Sequence, residues 1–490
     1  MDWKLKMKDV FIRNLCLAII ALGVLLRLEC FIQNRSLRGD EAAYFLCNLT
    51  RTPVDIILNT NTNPCCPITA SGFSLLEKLV CNFGGYHEYI LRLISLIFGL
   101  LSLPLFYLLL SEYSLGWLKV WAMGLLALSD QLIFFSADTR IYSMDVFLAI
   151  LMMWLFKRLA ARGYLPCHVI GFILVTMISV WFSFSVVFIL AGIATVSLIQ
   201  ASHRREYEVL RKLLIIHICW ILSFLFVYLY TICPIVQADV MLPMWEKSLI
   251  TTNGFYLFNG PYAARLGLFL LPCLLIVISL GIKALDFNNK IRWIFLIVVL
   301  VVPFLNPLEE ISYSLSHGWG HADGREAIKY LKDHMIDTDG IFMNSTASFV
   351  FGYYMGYFHI NMKNRWVGCI WDGFFQEKGG PRHARCLFEQ FLSEGHGFMT
   401  GHAFYRNRPA DRIYFDQWVK VKNKRQWLLL IEPTPQLRRF LQASFCHQGG
   451  RVMEKTFKDA YLYLFTEAEG DSPQNGDRAV RVKIVTPGVE

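Results

Sequence analysis

LRGDEAAYFLCNLT, residues 37–50, sets an acidic pair, Asp40-Glu41, just beyond the first long apolar segment of the chain. The reading of that segment orients everything after it. It follows a basic start, MDWKLKMKDVFIRN, and leads into RLECFIQNRS, which carries no small-residue cleavage pattern. The segment therefore reads as an uncleaved signal-anchor helix with its N-terminus in the cytoplasm. Asp40-Glu41 then falls on the outer side.

The composition agrees with a membrane protein: of 490 residues, 55% are hydrophobic and only 17% charged, well away from a soluble domain. The net charge of +9 is scattered and recurs at the ends of apolar runs, so it reads as topology and not as a nucleic-acid surface. Segments of the roughly 17 to 25 residues needed to cross a bilayer fall at about 11–30, 89–110, 117–136, 141–157, 213–233, 263–283 and 291–307. The run 165–200 is too long for one helix and divides near WFSFS, residues 181–185, for about nine spans in all. With this count Lys119, the group Lys157, Arg158 and Arg162, the group Arg204, Arg205, Arg211 and Lys212, and the group Lys283, Lys290 and Arg292 all face the cytoplasm.

Residues 31–88, 234–262 and everything after about 308 are then external. The division expected is a transmembrane domain, 1–308, with a long first outer loop, 31–88, an extracytoplasmic α/β domain, 309–467, and a loosely ordered tail, 468–490. In the α/β domain GREAIKYLKDHM reads as an amphipathic helix, and GIFMN, RQWLLLIE and AYLYLF read as short buried strands. Cys47, Cys65, Cys66, Cys81, Cys369, Cys386 and Cys446 lie on the outer side, where an oxidising compartment permits disulfides whose pairing the spacing does not give.

Several constellations carry chemistry. The acidic pair is either a helix start favoured by the helix dipole or a general base or metal ligand at the membrane surface. Neighbouring helical residues point about 100° apart, so one of the two faces a reacting group. SADTRIYSMD, residues 136–145, puts Asp138 and Arg140 at the next outer turn, a local salt bridge or a site for a phosphate-bearing molecule. SGFSLLEKLV, within the first loop, reads as an interfacial helix on which Lys78 is either surface charge or a phosphate ligand. HGWGHAD, residues 317–323, offers His317, His321 and Asp323, but its glycines oppose a helix that would align the two imidazoles on a metal. Asn34, Asn48 and Asn344 each begin an N-x-Ser/Thr triplet, a pattern common by chance.

GDEAAYF after a first span, EYILRLISLIFGLLSLPLFYLLL, and ALSDQLIFFSADTRIYSMDVFLAILM together resemble successive blocks of the GT-C-type integral-membrane glycosyltransferases, over about residues 35–200. The pattern is similar to the protein O-mannosyltransferase and lipid A aminoarabinose transferase-like proteins, including the bacterial branch acting on lipopolysaccharide core sugars. The resemblance implies a polytopic helical bundle, mainly α, with a C-terminal extracytoplasmic α/β domain in a bacterial inner membrane. It implies transfer of a sugar from a polyprenyl-phosphate carrier to a glycolipid, glycan or protein acceptor. Asp40, with Glu41 beside it, takes the position of the family's catalytic acid, and Asp138 and Arg140 take those of the second outer turn. Arg140 and Lys78 would balance the departing phosphate, a divalent metal ion being the alternative source of that charge. Where the family often has a His-Pro-Pro-like element, this chain reads Asn63-Pro64-Cys65-Cys66-Pro67. A transporter or flippase of lipid-linked sugars would keep ionisable groups near the midplane and show two related halves, which this sequence does not. A membrane-anchored receptor or scaffold would leave the carboxylates idle.

The orientation is testable by labelling. An Asp323→Cys thiol is expected to react with a membrane-impermeant maleimide on intact cells; protection there, beside a labelled external control, would reverse the topology.

Overall fold

The computed structural model describes residues 2–60, 69–233, 267–284, 290–319, 322–337, 339–360, 367–370, 425–433 and 451–466. The contacts group the chain into two units: Met1–Asn34, Arg51–Asn61 and Ile68–Trp319 form one, and Arg35–Thr50, Thr62–Pro67 and Gly320–Glu490 form the other. The first outer loop is thus shared between them, and the stretch with the acidic pair belongs to the second.

The first unit is helical among the described residues. Its helices are α1 (Asp2–Ile32), α3 (Pro53–Leu58), α4 (Ser71–Gly84), α5 (Glu88–Ser111), α6 (Trp117–Ala127), α7 (Asp130–Phe135), α8 (Tyr142–Ala161), α9 (Pro166–Phe182), α10 (Val186–His203), α11 (Tyr207–Val227), α12 (Leu271–Ala284) and α13 (Lys290–His317); α2 (Gly39–Thr50) lies in the second unit. Met7–Ile32, Glu88–Ser111, Val186–His203 and Tyr207–Ile232 are long and apolar enough to cross a membrane, and α6, α9 and Leu268–Ala284 are shorter apolar helices. Leu17, Ile178, Phe188, Ile199, Leu222 and Val277 point outward at 50% exposure or more. A bundle dissolved in water would not leave so much aliphatic surface open; one dissolved in lipid must. Inside, Leu103 and Phe106 of α5 pack with Ala122 and Leu126 of α6, Ile150 of α8 and Cys16 of α1.

Two breaks interrupt these helices. The one at WFSFS stands where the small polar residues placed it, between α9 and α10. There Ser183 Oγ donates to Asp145 Oδ1 at 2.6 Å and accepts from the Val186 N–H at 3.2 Å, while Ser185 Oγ donates to Asp145 Oδ2 at 3.2 Å. The other break corrects the sequence reading, because the single span expected over 117–136 is two helices, α6 and α7. Ser129 Oγ accepts from the Leu132 N–H at the start of α7. Arg27, fully buried on α1, donates through Nη1 to the Ala127 carbonyl at 2.9 Å and the Gly23 carbonyl at 3.0 Å, and through Nη2 to Leu126 at 3.4 Å. The guanidinium satisfies the carbonyls that the end of α6 frees, which apolar surroundings would otherwise leave open.

The helix expected to lie along the interface, α4, buries Phe73, Glu77 and Cys81 on one face. At its start a Cβ on Gly72 would meet the Trp181 carbonyl oxygen at 2.8 Å, so this helix approaches α9 more closely than a surface helix would.

In the second unit, α14 (Gly324–His334) and α15 (Ser345–Tyr357) accompany a sheet of β1 (Gly340–Asn344), β2 (Val367–Ile370), β3 (Arg425–Ile431), β4 (Arg451–Phe457) and β5 (Ala460–Thr466). Its order is β2-β1-β3-β5-β4, with β1 parallel to both neighbours and β5 antiparallel to β3 and β4. The expected strands are β1, β3 and β5, the continuous apolar runs that a sheet covered on both faces requires. The amphipathic helix is α14, which buries Ala327, Ile328 and Leu331. Cys47 is disulfide-bonded, whereas Cys81 of the first unit is a buried thiol.

Asp339 anchors the sheet beside β1. It is fully buried and accepts from Trp427 Nε1 at 2.7 Å, Arg425 Nε at 3.1 Å and the Ile336 N–H at 3.0 Å. Asp339→Ala strands the indole N–H and is expected to cost about 2 to 4 kcal/mol. Thermal melting followed by tryptophan fluorescence should fall by several degrees, with Asp339→Asn, which keeps one acceptor oxygen, losing less.

Candidate functional site

In the second unit the acidic pair opens α2, and its two carboxylates meet different surroundings. Glu41 is completely buried: Oε2 accepts the Arg38 N–H at 3.0 Å, and Oε1 lies 3.6 Å from Arg35 Nη2, itself nearly buried. That contact closes one half of a capping box, the third helical residue reaching back to the N-cap amide. Asp40, one residue earlier, keeps a side chain 31% exposed, with Arg38 Nε 3.8 Å away. A fully buried carboxylate needs a counter-charge and donors, and Glu41 has both. Asp40 keeps part of its side chain at the surface.

The lead-in to α2 is fixed from α14 and α15. The Leu37 N–H donates to Tyr354 Oη at 3.0 Å, and the Arg325 N–H donates to Ser36 Oγ at 3.1 Å. Gly39 sits so close to α15 that a Cβ there would lie 2.6 Å from Thr346 Cγ2. Asn344 caps α15, its Oδ1 accepting the Ala347 N–H, and also grips the end of β3. Its side chain is therefore fully buried and unavailable as a glycan acceptor, and Asn48 is buried as well.

In the first unit Asp138 lies in the turn between α7 and α8. The outer turn expected there is not open at this residue, which is 1% exposed. α5 packs against both sides of this turn: Ser95 Oγ donates to the Arg140 carbonyl at 2.9 Å, and a Cβ on Gly99 would lie 2.7 Å from Ser136 Cβ. Glu88 and Arg92 follow the same three-to-four spacing as Ser95 and Gly99 and are buried on that face of the helix. Sequence reasoning passed over both, although two charges four residues apart in an apolar helix were the available signal. Arg140 is half-buried. Lys78 is half-buried on α4, and burial first, then the nearby positive charge of Arg51, hold its ammonium below its ordinary pKa. Arg51, also missed, donates to the Asp55 carbonyl at 2.6 Å and to Asn59 Oδ1 at 3.0 Å.

Of the histidine-rich junction, His321 is outside the described residues; His317 is exposed and stacked on Tyr313 of its own helix. Asp323 precedes α14, with Oδ2 accepting the Lys458 N–H. Among the described residues no three His, Cys, Asp or Glu side chains group as metal ligands.

No family model matches the chain, and no curated protein matches it. Among solved structures it is similar to ArnT from Cupriavidus metallidurans. In the apo state the likeness covers 91% of this chain and 97% of that one, at 11% identity and a TM-score of 0.46. For ArnT bound to undecaprenyl phosphate it covers 94% and 99%, at 10% identity and a TM-score of 0.47.

The Gly39 contact is testable by a double-mutant cycle. Gly39→Ala is expected to cost about 1 to 3 kcal/mol by overpacking. Thr346→Ser removes the methyl in the way and should recover most of that loss; additive effects would dissociate the two residues.

Proposed function

We propose that this protein is an integral-membrane glycosyltransferase of the GT-C type. It moves a sugar from a polyprenyl-phosphate carrier to a hydroxyl of a glycolipid, glycan or protein acceptor on the outer membrane face. The supporting observation is the contrast within the acidic pair: Glu41 is closed off by Arg35 and the Arg38 amide, while Asp40 keeps a side chain 31% exposed.

In this reading Asp40 takes the proton of the acceptor hydroxyl as its oxygen attacks the anomeric carbon. The bond from that carbon to the phosphate oxygen breaks, and its electron pair leaves with the polyprenyl phosphate. The N-terminal turn of α2 favours the ionised carboxylate, and Arg38 limits its orientations. The departing phosphate gathers negative charge and needs cations, a role assigned to Arg140, whose guanidinium is suited to bidentate contact, and to Lys78 as a point charge. A carrier with an isoprenoid tail keeps that tail in hydrocarbon while its head group meets water. Glu41 acts on the chemistry only through the shape of the turn that presents Asp40.

The roles separate by substitution. Asp40→Asn is expected to reduce sugar transfer about 10² to 10⁴-fold and to leave melting nearly unchanged. Glu41→Gln should instead lower the melting temperature, because the buried Arg35 loses its counter-charge. The assay is glycan transfer by purified protein in nanodiscs, and wild-type turnover by a well-folded Asp40→Asn protein removes Asp40 from the chemistry.

A further inference from the structure

Two turns lie at the same end of the helical unit, the end that the sequence reading places in the cytoplasm. One joins α8 to α9 and the other α10 to α11, and Leu159, Val169, Ala201 and Leu213, one from each helix, pack together just inside them. Lys212 Nζ at the start of α11 donates to the Tyr164 carbonyl at 3.1 Å, which ties the second turn to the first. Residues 157–168 and 203–212 bring seven lysine and arginine side chains to this end against two glutamates. Part of that charge is used within the protein. Arg158 Nε lies 3.3 Å from Glu112 Oε1, Arg211 Nη2 3.0 Å from Glu208 Oε2, and Lys157 Nζ 4.6 Å from the centre of the Tyr113 ring. Arg162, in contact with the His168 ring, and Arg204 and Arg205 are exposed and form no ion pair among the described residues.

Helix dipoles do not account for these three arginines. A helix C-terminus carries about half a negative charge, and the two that end here, α8 and α10, are offset by the N-termini of α9 and α11 beside them. Arg205 is also strained where it stands. The Glu206 N–H donates to the Ala201 carbonyl at 3.0 Å and the Arg205 N–H to the Ser202 carbonyl at 3.1 Å, so Arg205 takes the left-handed position, φ 58°, that glycine ordinarily fills after a helix. At the equivalent place after α8 the residue is Gly163, φ 64°. Leu165, Ile170, Ile199 and Tyr207 are exposed at the same end, aliphatic and aromatic surface of the kind found where hydrocarbon meets water.

We propose that the joined turns form a binding surface for anionic phospholipids, Arg162, Arg204 and Arg205 contacting the head-group phosphates while Leu165, Ile170 and Ile199 meet the acyl chains. A guanidinium suits phosphate because it can donate two parallel hydrogen bonds. A head group with a net negative charge answers the excess positive charge, and a zwitterionic one does not. An acidic soluble protein would answer the charge but leave the aliphatic side chains uncovered. The inference is independent of sugar transfer and of Asp40.

The test uses full-length protein, stripped of lipid in detergent and offered an equimolar mixture of phosphatidylglycerol and phosphatidylcholine, with bound lipids counted by native mass spectrometry. Phosphatidylglycerol should be retained at least about 10-fold over phosphatidylcholine, since each basic group at an anionic surface contributes about 5-fold. Added salt before the measurement should erode that preference. Arg162→Gln, Arg204→Gln and Arg205→Gln together should reduce it to about 3-fold or less, whereas Arg162→Lys, Arg204→Lys and Arg205→Lys together should keep most of it. Lys329→Gln, Lys332→Gln and Lys455→Gln remove the same charge from exposed positions of the second unit and should leave the preference intact. Equal retention of the two lipids by the parent protein overturns the proposal and leaves the surface to an acidic protein partner. A preference that survives the arginine-to-glutamine changes also overturns it, and so does one that both sets of glutamines abolish alike, which would make it an effect of net charge. Where the triple arginine variant does not fold, Arg205→Gly, which suits the left-handed backbone, should by itself lower the preference about 3- to 5-fold, and an unchanged value there counts against the proposal in the same way.

Discussion

Inside a hydrocarbon layer no water is at hand to satisfy a backbone group, and every interruption of a helix must find its partners within the protein. Both breaks obey this constraint, one with donors and the other with acceptors. Arg27 brings N–H donors to the freed carbonyls of α6, and Asp145 accepts from the two serine hydroxyls at the break before α10, where Ser183 also receives an amide. Ser129, accepting the Leu132 N–H, does the same for the start of α7. The turn carrying Asp138 and Arg140 follows α7 directly, so a buried arginine on α1 helps decide where that turn lies.

In the second unit, desolvation separates two adjacent acids. Complete burial of Glu41 is tolerable only because Arg35 and an amide face it, whereas Asp40 keeps part of its hydration. Asp339 solves the same problem with an indole, a guanidinium and an amide. Buried carboxylates of this kind hold geometry.

Features set by local composition were legible in the sequence. The apolar runs marked the helices, small polar residues marked the break at Ser183, and GIFMN, RQWLLLIE and AYLYLF marked the central strands. β4 escaped because RVMEKTF mixes charge with apolar residues along the outer strand of the sheet, and β2 because it is four residues long. The break between α6 and α7 escaped because its partner, Arg27, lies 100 residues away. The acidic pair stood out, but which member is closed off depends on Arg35 and on packing against Tyr354, and neither shows in a local pattern. Glu88 and Arg92, by contrast, left a local signal, two charges four residues apart in an apolar helix.

The grouping of Arg35–Thr50 with Gly320–Glu490 bears on how the protein is made. The ribosome delivers α2 early, yet the residues that fix its start, Arg325, Thr346 and Tyr354, emerge only after the whole series of apolar helices. Contacts so distant in sequence form late. A nascent or truncated chain therefore carries Asp40 without the surroundings that set its geometry, and completing synthesis becomes the step that fixes the start of α2. Premature termination anywhere before β5 would leave a membrane-inserted product lacking a strand of the sheet on which that assembly depends.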